Sequence, residues 1–454
     1  MKIAPSCCLF LALAVVAPAA PAATPLTMAE AESRAEAGNP RLFSLQLEVE
    51  AAARRQSQAR ARHFGQVDGI ASYNHYESSR LVRPISIDLF VDPALGMAQL
   101  PWDDDQTHYG LAFQLPLLAG GALHEGDRTA ALARSAAEKN ALFAREEVRT
   151  SVRGAYRGAL LARHALAAAR QYEEALVKDE GDARLKVSLG AAAPVDAAKL
   201  TYALRGAEAQ VAEVAAQERT AQAYLAALMG EAPPADGWNL ADVPDEPQAA
   251  EPAGERGLRS AAAPDDALAR ALAGRADLAA VRDATLVSES RKRLAKSSFG
   301  PRLALEGNAF WNRAPSVRGA LDTHEVALTL RLPIFDGFGR IHAVREADAN
   351  LAAARERERG KELEVATQVV EARGRIEAAR AQLAAGRAQR DLGHEVARVE
   401  RLRLDQGTGK VEDYLSARTQ ELQGETAYWR ALYALQGAED YLDLVTAART
   451  GEAR

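Results

Sequence analysis

The sequence predicts a membrane α+β protein. Four β-strands per chain would complete a trimeric twelve-stranded transmembrane β-barrel, continued by a long antiparallel α-helical coiled-coil barrel. Three observations predict this fold. The chain contains one unit twice, an internal two-fold repeat. Each copy holds two segments of period-two alternation followed by helical patterns too long for a globular domain. No stretch beyond the leader reaches the roughly 18 consecutive apolar residues of a membrane-spanning helix.

The repeat is clearest where strand gives way to helix. Gln114-Leu115-Pro116-Leu117-Leu118-Ala119-Gly120-Gly121 reappears as Arg331-Leu332-Pro333-Ile334-Phe335-Asp336-Gly337-Phe338-Gly339. Pro116 and Pro333 stand 217 positions apart, and the same spacing pairs Glu147-Val148 with Glu364-Val365, Arg184-Leu185 with Arg401-Leu402, Gly190 with Gly407, Asp196 with Asp413, and Tyr224-Leu225 with Tyr441-Leu442. Proline cannot donate to a ladder and is expected to end each strand, and Gly120 and Gly337 let the backbone turn. The chain accordingly divides into a leader (1–22), a first repeat (23–230), a proline-rich linker (231–264), a second repeat (265–446) and a polar tail (447–454).

The leader reads as a secretory signal. Lys2 is its basic start, Cys7 to Val16 its apolar core, and Ala-x-Ala sites end at Ala19 or Ala22. Cys7 and Cys8 are the only cysteines, so the exported chain is expected to have no disulfide, thiol metal site or cysteine nucleophile. They precede most of the apolar core, whereas a lipid-attachment cysteine follows it, so no acylation is expected. The net charge is −6 with both signs interspersed, which lacks the basic stripe of a nucleic-acid binder.

Each repeat opens with a helical segment. The first covers 26–62 with a break at Asn39-Pro40, and the second starts near Asp265 with Arg275-Ala276-Asp277-Leu278 in the matching place. Phe64-Gly65 and Phe299-Gly300 then open strand pairs at about 66–76 and 108–116, and at about 301–312 and 324–333. Val67, Gly69, Ala71 and Tyr73 alternate with Asp68, Ser72 and Asn74. Tyr109, Leu111, Phe113 and Leu115 alternate with His108, Gly110, Ala112 and Gln114. Leu303, Leu305, Ala309 and Trp311 oppose Arg302, Glu306, Asn308 and Asn312, and Val326, Leu328, Leu330 and Leu332 oppose Glu325, Ala327, Thr329 and Arg331. Such alternation suits a strand between lipid and lumen, and equally a half-buried soluble sheet. Tyr73, Tyr76, Trp102, Phe310 and Trp311 cluster at strand ends, as an interfacial girdle or as packing between strands and loops. The Asp103-Asp104-Asp105 run reads as solvated.

From Gly121 to about Leu189, and from Gly339 to about Gln406, the pattern is helical, and about 70 residues at 1.5 Å each reach about 100 Å. Val148, Val152, Ala155, Ala159, Ala162 and Leu166, and then Val365, Val369, Ala372, Ile376, Ala379 and Leu383, step by four and three alternately, the spacing of a supercoiled seam. Returning helices reach about Met229 and Thr446, making hairpins with tips near Gly190 and Gly407. Trp429 and Tyr433, four apart, read as core.

Four strands cannot close a barrel with a lumen, and open strand edges are not tolerated in lipid. The chain is therefore expected to borrow strands from identical copies. Three copies give twelve strands, and four-fold closure also satisfies the edges.

The two strand-to-helix junctions (115–121 and 332–339) and the two turns, Arg184-Leu185 through Gly190 to Asp196 and Arg401-Leu402 through Gly407 to Asp413, resemble those of the TolC-like outer-membrane efflux protein family. The resemblance implies a homotrimer with its barrel in outer-membrane lipid and its helices in the periplasm. Such a duct serves a tripartite export machine with a periplasmic adaptor and an inner-membrane pump. It implies that Arg184, Leu185, Gly190, Arg401, Leu402 and Gly407 lie at adaptor-docking tips, and that Asp413, with Asp196 and Lys410, lies at a periplasmic gate. Pro116, Gly120, Pro333 and Gly337 mark the junctions. Gly409 and Ser416 stand where a basic latch residue and a second acid are expected. Read without the family, Gly190 and Gly407 are helix caps, and Asp196 and Asp413 sit at helix N-termini where the dipole favours a carboxylate.

No P-loop, dinucleotide fingerprint or nucleophile elbow appears, and the eight histidines form no ligand pair with an acid on one helix face. No catalytic site, cofactor or metal is expected, and the histidines read as scattered over surface or lumen. A general porin or an adhesin-like coiled coil are the competing classes; the first builds its barrel from one chain, and the second lacks the duplication. Mass spectrometry of the exported N-terminus is expected to show no diacylglycerol adduct, and finding one overturns the reading of Cys7 and Cys8.

Overall fold

The computed structural model describes residues 25–82, 102–234, 237–243, 264–316 and 321–447. The leader, residues 244–263 of the linker and the tail beyond Ala447 lie outside the described residues. The chain forms two units: Met1–Asn39, Ser151–Pro252 and Ala379–Gly437 in one, and Pro40–Thr150, Ala253–Ala378 and Ala438–Arg454 in the other.

Helix α1 (Met28–Gly38) starts at Thr27, whose hydroxyl accepts from the Glu30 amide at 3.2 Å, and α2 (Pro40–Ala61) follows. Asn39, between them, takes φ −68° and ψ 119°. Arg275, between α5 (Pro264–Gly274) and α6 (Ala276–Ser297), takes φ −71° and ψ 123°. The two breaks therefore have one backbone geometry, an extended residue that stops one helix and starts the next.

Strands β1 (Gln66–Leu81), β2 (Trp102–Ala119), β3 (Arg302–Arg313) and β4 (Leu321–Arg331) form one antiparallel sheet in the order β1-β2-β3-β4. The register aligns the apolar positions in rows across all four strands. Val67 opposes Phe113, which opposes Gly307, which opposes Val326; Gly69, Leu111, Ala309 and His324 form the next row. The alternate rows are polar, such as Gln66, Gln114, Glu306 and Ala327, and they hydrogen-bond among themselves. Gln114 donates to Glu306 at 3.0 Å, and Asn308 to Glu325 at 3.1 Å. The apolar face is the bare one: Val326, Leu328 and Leu330 are 72, 63 and 66% exposed.

Three expectations need correction here. Pro116 does not end its strand; β2 continues to Ala119, and a register shift between Pro116 and Leu118 absorbs the missing donor. Phe310 does not join the aromatics of the apolar face, because it pairs with Gly110 in a row of the polar face, where a Cβ on Gly110 would lie 2.7 Å from its ring. Asp103 is not solvated. It is 4% exposed and accepts from the Ser316 amide at 2.7 Å and the Asp105 amide at 2.9 Å, pinning the start of the second hairpin connection.

The junctions lead into α3 (Ala122–Ser188) and α7 (Gly339–Asp405), 67 residues each, and the returning helices α4 (Pro194–Met229) and α8 (Val411–Thr446) have 36 each. At the first junction Gly120 and Gly121 have φ +59° and +91°; at the second, Gly337 and Phe338 have +67° and +68°. The seam positions are buried: Val148, Val152, Ala155 and Ala159 in α3, and Val365, Val369, Ala372 and Ala379 in α7. Glycine brings α7 and α8 close, since a Cβ on Gly393 would stand 3.1 Å from the Glu421 Cα. Among the described residues no helix is long and apolar enough to cross a membrane.

At the second helix break, Arg275 is 3% exposed and makes a bidentate pair with Asp277 at 3.0 and 2.7 Å, while Lys361 of α7 reaches the same carboxylate at 3.0 Å. Burial pushes the Asp277 carboxyl up, but Arg275 and Lys361 outweigh it and hold it below the ordinary range. A depressed carboxyl stabilises fully above its unfolded value and loses that contribution as pH falls through the folded one. Asp277→Ala is therefore expected to cost about 3–5 kcal/mol at neutral pH, because it strands a buried guanidinium. Thermal melts in detergent should show the deficit shrinking on acidification; a deficit independent of pH counts against this pairing.

Candidate functional site

The two hairpin tips share one backbone solution. Gly190 and Gly407 take φ +73° and +72°. Behind them Ala191 N–H bonds the Lys186 carbonyl at 2.8 Å, and Thr408 N–H the Arg403 carbonyl at 3.0 Å. This is the Schellman closure, in which a left-handed residue lets the chain satisfy the last free carbonyls of a helix. Pro194 then starts α4 with its fixed φ, and Glu412 and Asp413 fall in the first turn of α8, where the dipole favours them.

The side chains on this shared frame differ. At the first tip Leu185, Leu189 and Val195 are 60, 73 and 55% exposed, and among the described residues Arg184 pairs only with Glu180, one turn back, at 2.5 Å. At the second, Leu402 is exposed, but Arg401 turns inward to the neighbouring helices. Its guanidinium pairs with Asp179 of α3, lies 3.2 Å from Asp405 and from the Tyr414 hydroxyl, and stacks 5.5 Å from the Tyr414 ring. Tyr414, 2% exposed, donates to Asp179 at 2.6 Å. Three helices thus meet on one buried carboxylate, beside a core of Leu176, Ala183, Leu200, Leu204 and Val411.

Asp196 lies 3.8 Å from Lys199, and Lys199 reaches across to Glu412 of α8. Its ammonium holds the Glu412 carboxyl below the ordinary range, and Glu412 in turn raises Lys199. Asp413 and Lys410 are exposed, with the Lys410 carbonyl accepting from the Tyr414 amide at 3.2 Å. Beside the Lys199–Glu412 pair runs a groove of about 540 Å³ between α4 and α8, lined by Tyr172, Val195, Tyr202, Leu415 and Thr419. The arrangement carries no nucleophile–base pair, and no group of three or more His, Cys, Asp or Glu among the described residues could hold a metal. What it offers is an exposed apolar end, an acidic first turn and an interhelix lock.

Sequence reasoning missed Asp179, Tyr414, Lys199 and Glu412. A signal was present: Arg184 and Arg401 correspond at the 217-residue spacing, but Val396 and Ala197 stand where Asp179 and Tyr414 have their counterparts. Two histidines make specific contacts within the helices. His164 stacks on Trp429 at 3.8 Å with its Nε2 3.6 Å from Asp242, and His394 lies between Glu421 at 2.8 Å and Glu425 at 3.4 Å. Tyr156, fully buried, offers its hydroxyl to the carbonyls of Leu26 and Ala241, and burial pushes it up to about 12. That contact fastens the described part of the linker to α3.

Comparison with known proteins places this geometry. Residues 267–448 match the outer membrane efflux protein family. By fold the chain is similar to a membrane protein from Pseudomonas aeruginosa, at 20% identity and TM-score 0.73, covering 92% of each chain. It is similar to the outer membrane protein VceC of Vibrio cholerae, at 16% identity and TM-score 0.71, covering 93% of this chain and 95% of that one. It is also similar to the CmeC outer membrane channel of Campylobacter jejuni, at 16% identity and TM-score 0.73, covering 94% and 88%. Comparison with curated proteins by sequence returns no match. Tyr414→Phe is expected to cost about 1–3 kcal/mol, since it removes one of the two donors, beside Arg401, that the buried Asp179 carboxylate has. Arg184→Ala should leave the thermal midpoint unchanged, and equal effects of the two variants would exclude the lock.

Proposed function

We propose that this chain, TolC-like in its family match and in its fold, is the passive outer-membrane exit duct of a tripartite efflux or secretion system. Three copies of a duplicated unit would each supply β1 to β4 to a twelve-stranded barrel, and their helices would continue it into the periplasm as a coiled-coil tunnel. The hairpin tips would dock a periplasmic adaptor serving an inner-membrane pump.

The observation that carries the reading is the sheet. Its apolar rows are exposed, its alternate rows form a polar network, and β1 and β4 end the strand order. A soluble sheet buries its apolar face; a barrel wall turns that face to lipid and the polar one to a lumen. On the apolar face Tyr109 and Trp311 stack at 6.0 Å in one row with Asp322, and above that row come Arg313 and then the pair His75 and Asp105. Aromatics below a charged row suit the outer bilayer boundary. At the hairpin tips, Arg184, Leu185, Gly190, Leu402 and Gly407 would meet the adaptor, whereas Arg401 serves the lock. Asp413, with Asp196 and Lys410 near it, would form the gate, where symmetry gathers carboxylates that attract cations.

Native mass spectrometry of the detergent-extracted protein is expected to give a trimer, and a deletion strain should be hypersensitive to drugs or detergents. A folded, water-soluble monomer ends this reading. In single-channel recordings Asp413→Ala should relieve block by divalent cations; unchanged block removes Asp413 from the constriction.

A further inference from the structure

The base of the second hairpin carries two like charges face to face. Arg302 and Arg331 are register partners on the polar face of the sheet, so their side chains start directly opposite each other. Like charges so placed weaken a strand pair. Both residues are exposed, and among the described residues neither makes an ion pair with an acid. The nearest acid along β3, Glu306, stands four residues away, about 13 Å. It already accepts from Gln114 at 3.0 Å and from Thr329 at 3.4 Å. Asp336, beyond Arg331, is held by Arg340 at 2.9 Å. No acid occurs between Glu289 and Glu306, or between Glu325 and Asp336.

The first hairpin shows that the fold does not require this pair. Gln114 precedes Pro116 as Arg331 precedes Pro333, at the 217-residue spacing, and its partner on β1 is Gln66. A neutral glutamine pair therefore closes one hairpin where an arginine pair closes the other. On β2 the neighbour of Arg302 is Ala119, whose methyl is too short to cover a guanidinium. Two planar forks of N–H donors, side by side and without an acid, fit an oxyanion that each can bind through two oxygens. Such an anion would turn the repulsion of the pair into attraction. The face indicates where the anion comes from. Lipid would meet the opposite face, which carries Leu303 and Leu330 in the adjoining row. Further up the polar wall stand Glu306 and then Asp68 and Glu325, which repel an anion and leave the arginine pair as its resting place. We propose that Arg302 and Arg331 form an oxyanion-binding station on the lumen wall at the base of the barrel, taking a phosphate or carboxylate group of the cargo. This assignment rests on the duct reading and adds to it a chemical class of cargo.

R302Q/R331Q gives the second hairpin the glutamine pair of the first, and it is compared with the native protein, each whole and detergent-extracted. Inorganic phosphate is the probe, set against chloride at equal ionic strength. Phosphate should raise the thermal midpoint of the native protein, and R302Q/R331Q should need about tenfold more for the same rise. R302K/R331K keeps both charges without the planar fork and should fall between the two. R331Q alone keeps the comparison available if the double variant does not fold. Equal responses of native protein and R302Q/R331Q, or no response in either, overturn the station whether or not the duct stands. Phosphatidylglycerol found by native mass spectrometry on the native protein and not on R302Q/R331Q makes the anion a lipid headgroup and also overturns it. In planar bilayers, phosphate should lower the single-channel conductance of the native protein and not of R302Q/R331Q. Channels that phosphate leaves unaltered keep the duct and sink the station. Melts that separate the two proteins without any channel forming sink the duct and the lumenal placement together.

Discussion

The structure depends on the backbone of its sheet. Strands β1 and β4 end the strand order, each with one row of peptide groups facing away from the sheet. In water such an edge is solvated; in hydrocarbon each unmet group costs several kcal/mol, which outweighs any side-chain contact nearby. The apolar face of the sheet selects the second setting, because Val67, Leu111, Val326, Leu328 and Leu330 stand exposed on it. In the duct proposed here, strands of identical copies complete the edges and reconcile these two facts. The self-association proposed above answers that demand of backbone chemistry before any interface residue is considered.

Periodic features were legible in sequence, and pairwise ones were not. The faces of all four strands, both tips and the ends of the long helices follow from local rules: alternation, the heptad step, and glycine or proline at a turn. Pro116 was misjudged because a proline stops a ladder only if the ladder cannot shift, and a bulge lets β2 run on to Ala119. Phe310 was grouped with Trp311 at the strand end, although the alternation that puts Ala309 and Trp311 on the apolar face already puts Phe310 on the other. The lock on Asp179 joins it to Arg401 and Tyr414, 222 and 235 positions away. No local period encodes such a contact. Only its absence around Arg184, at the matching spacing, could have pointed to it.

That spacing is the most informative property of the chain, because each half serves as a control for the other. Where both halves keep a feature, the fold accounts for it: Gly190 and Gly407 share a conformation that caps any helix of this kind. Where they part, the fold is not the reason. Arginine at both 184 and 401 is bound inward only where Asp179 and Tyr414 await it. Exposed leucine and valine crowd the first tip, while the second carries Gln406, Thr408 and Lys410.

For the docking proposed above, the same logic constrains what the partner meets. A ring of equivalent tips could be gripped by one repeated contact. Here the first tip presents Leu185, Leu189 and Val195, which favour a partner that removes apolar area from water at about 25 cal/mol per Å². The second presents polar groups, whose hydrogen bonds and charges discriminate between partners more than they add affinity. Gripping strength would then reside in one hairpin of each chain and partner choice in the other, and Arg401, engaged by the interhelix lock, is spent on neither.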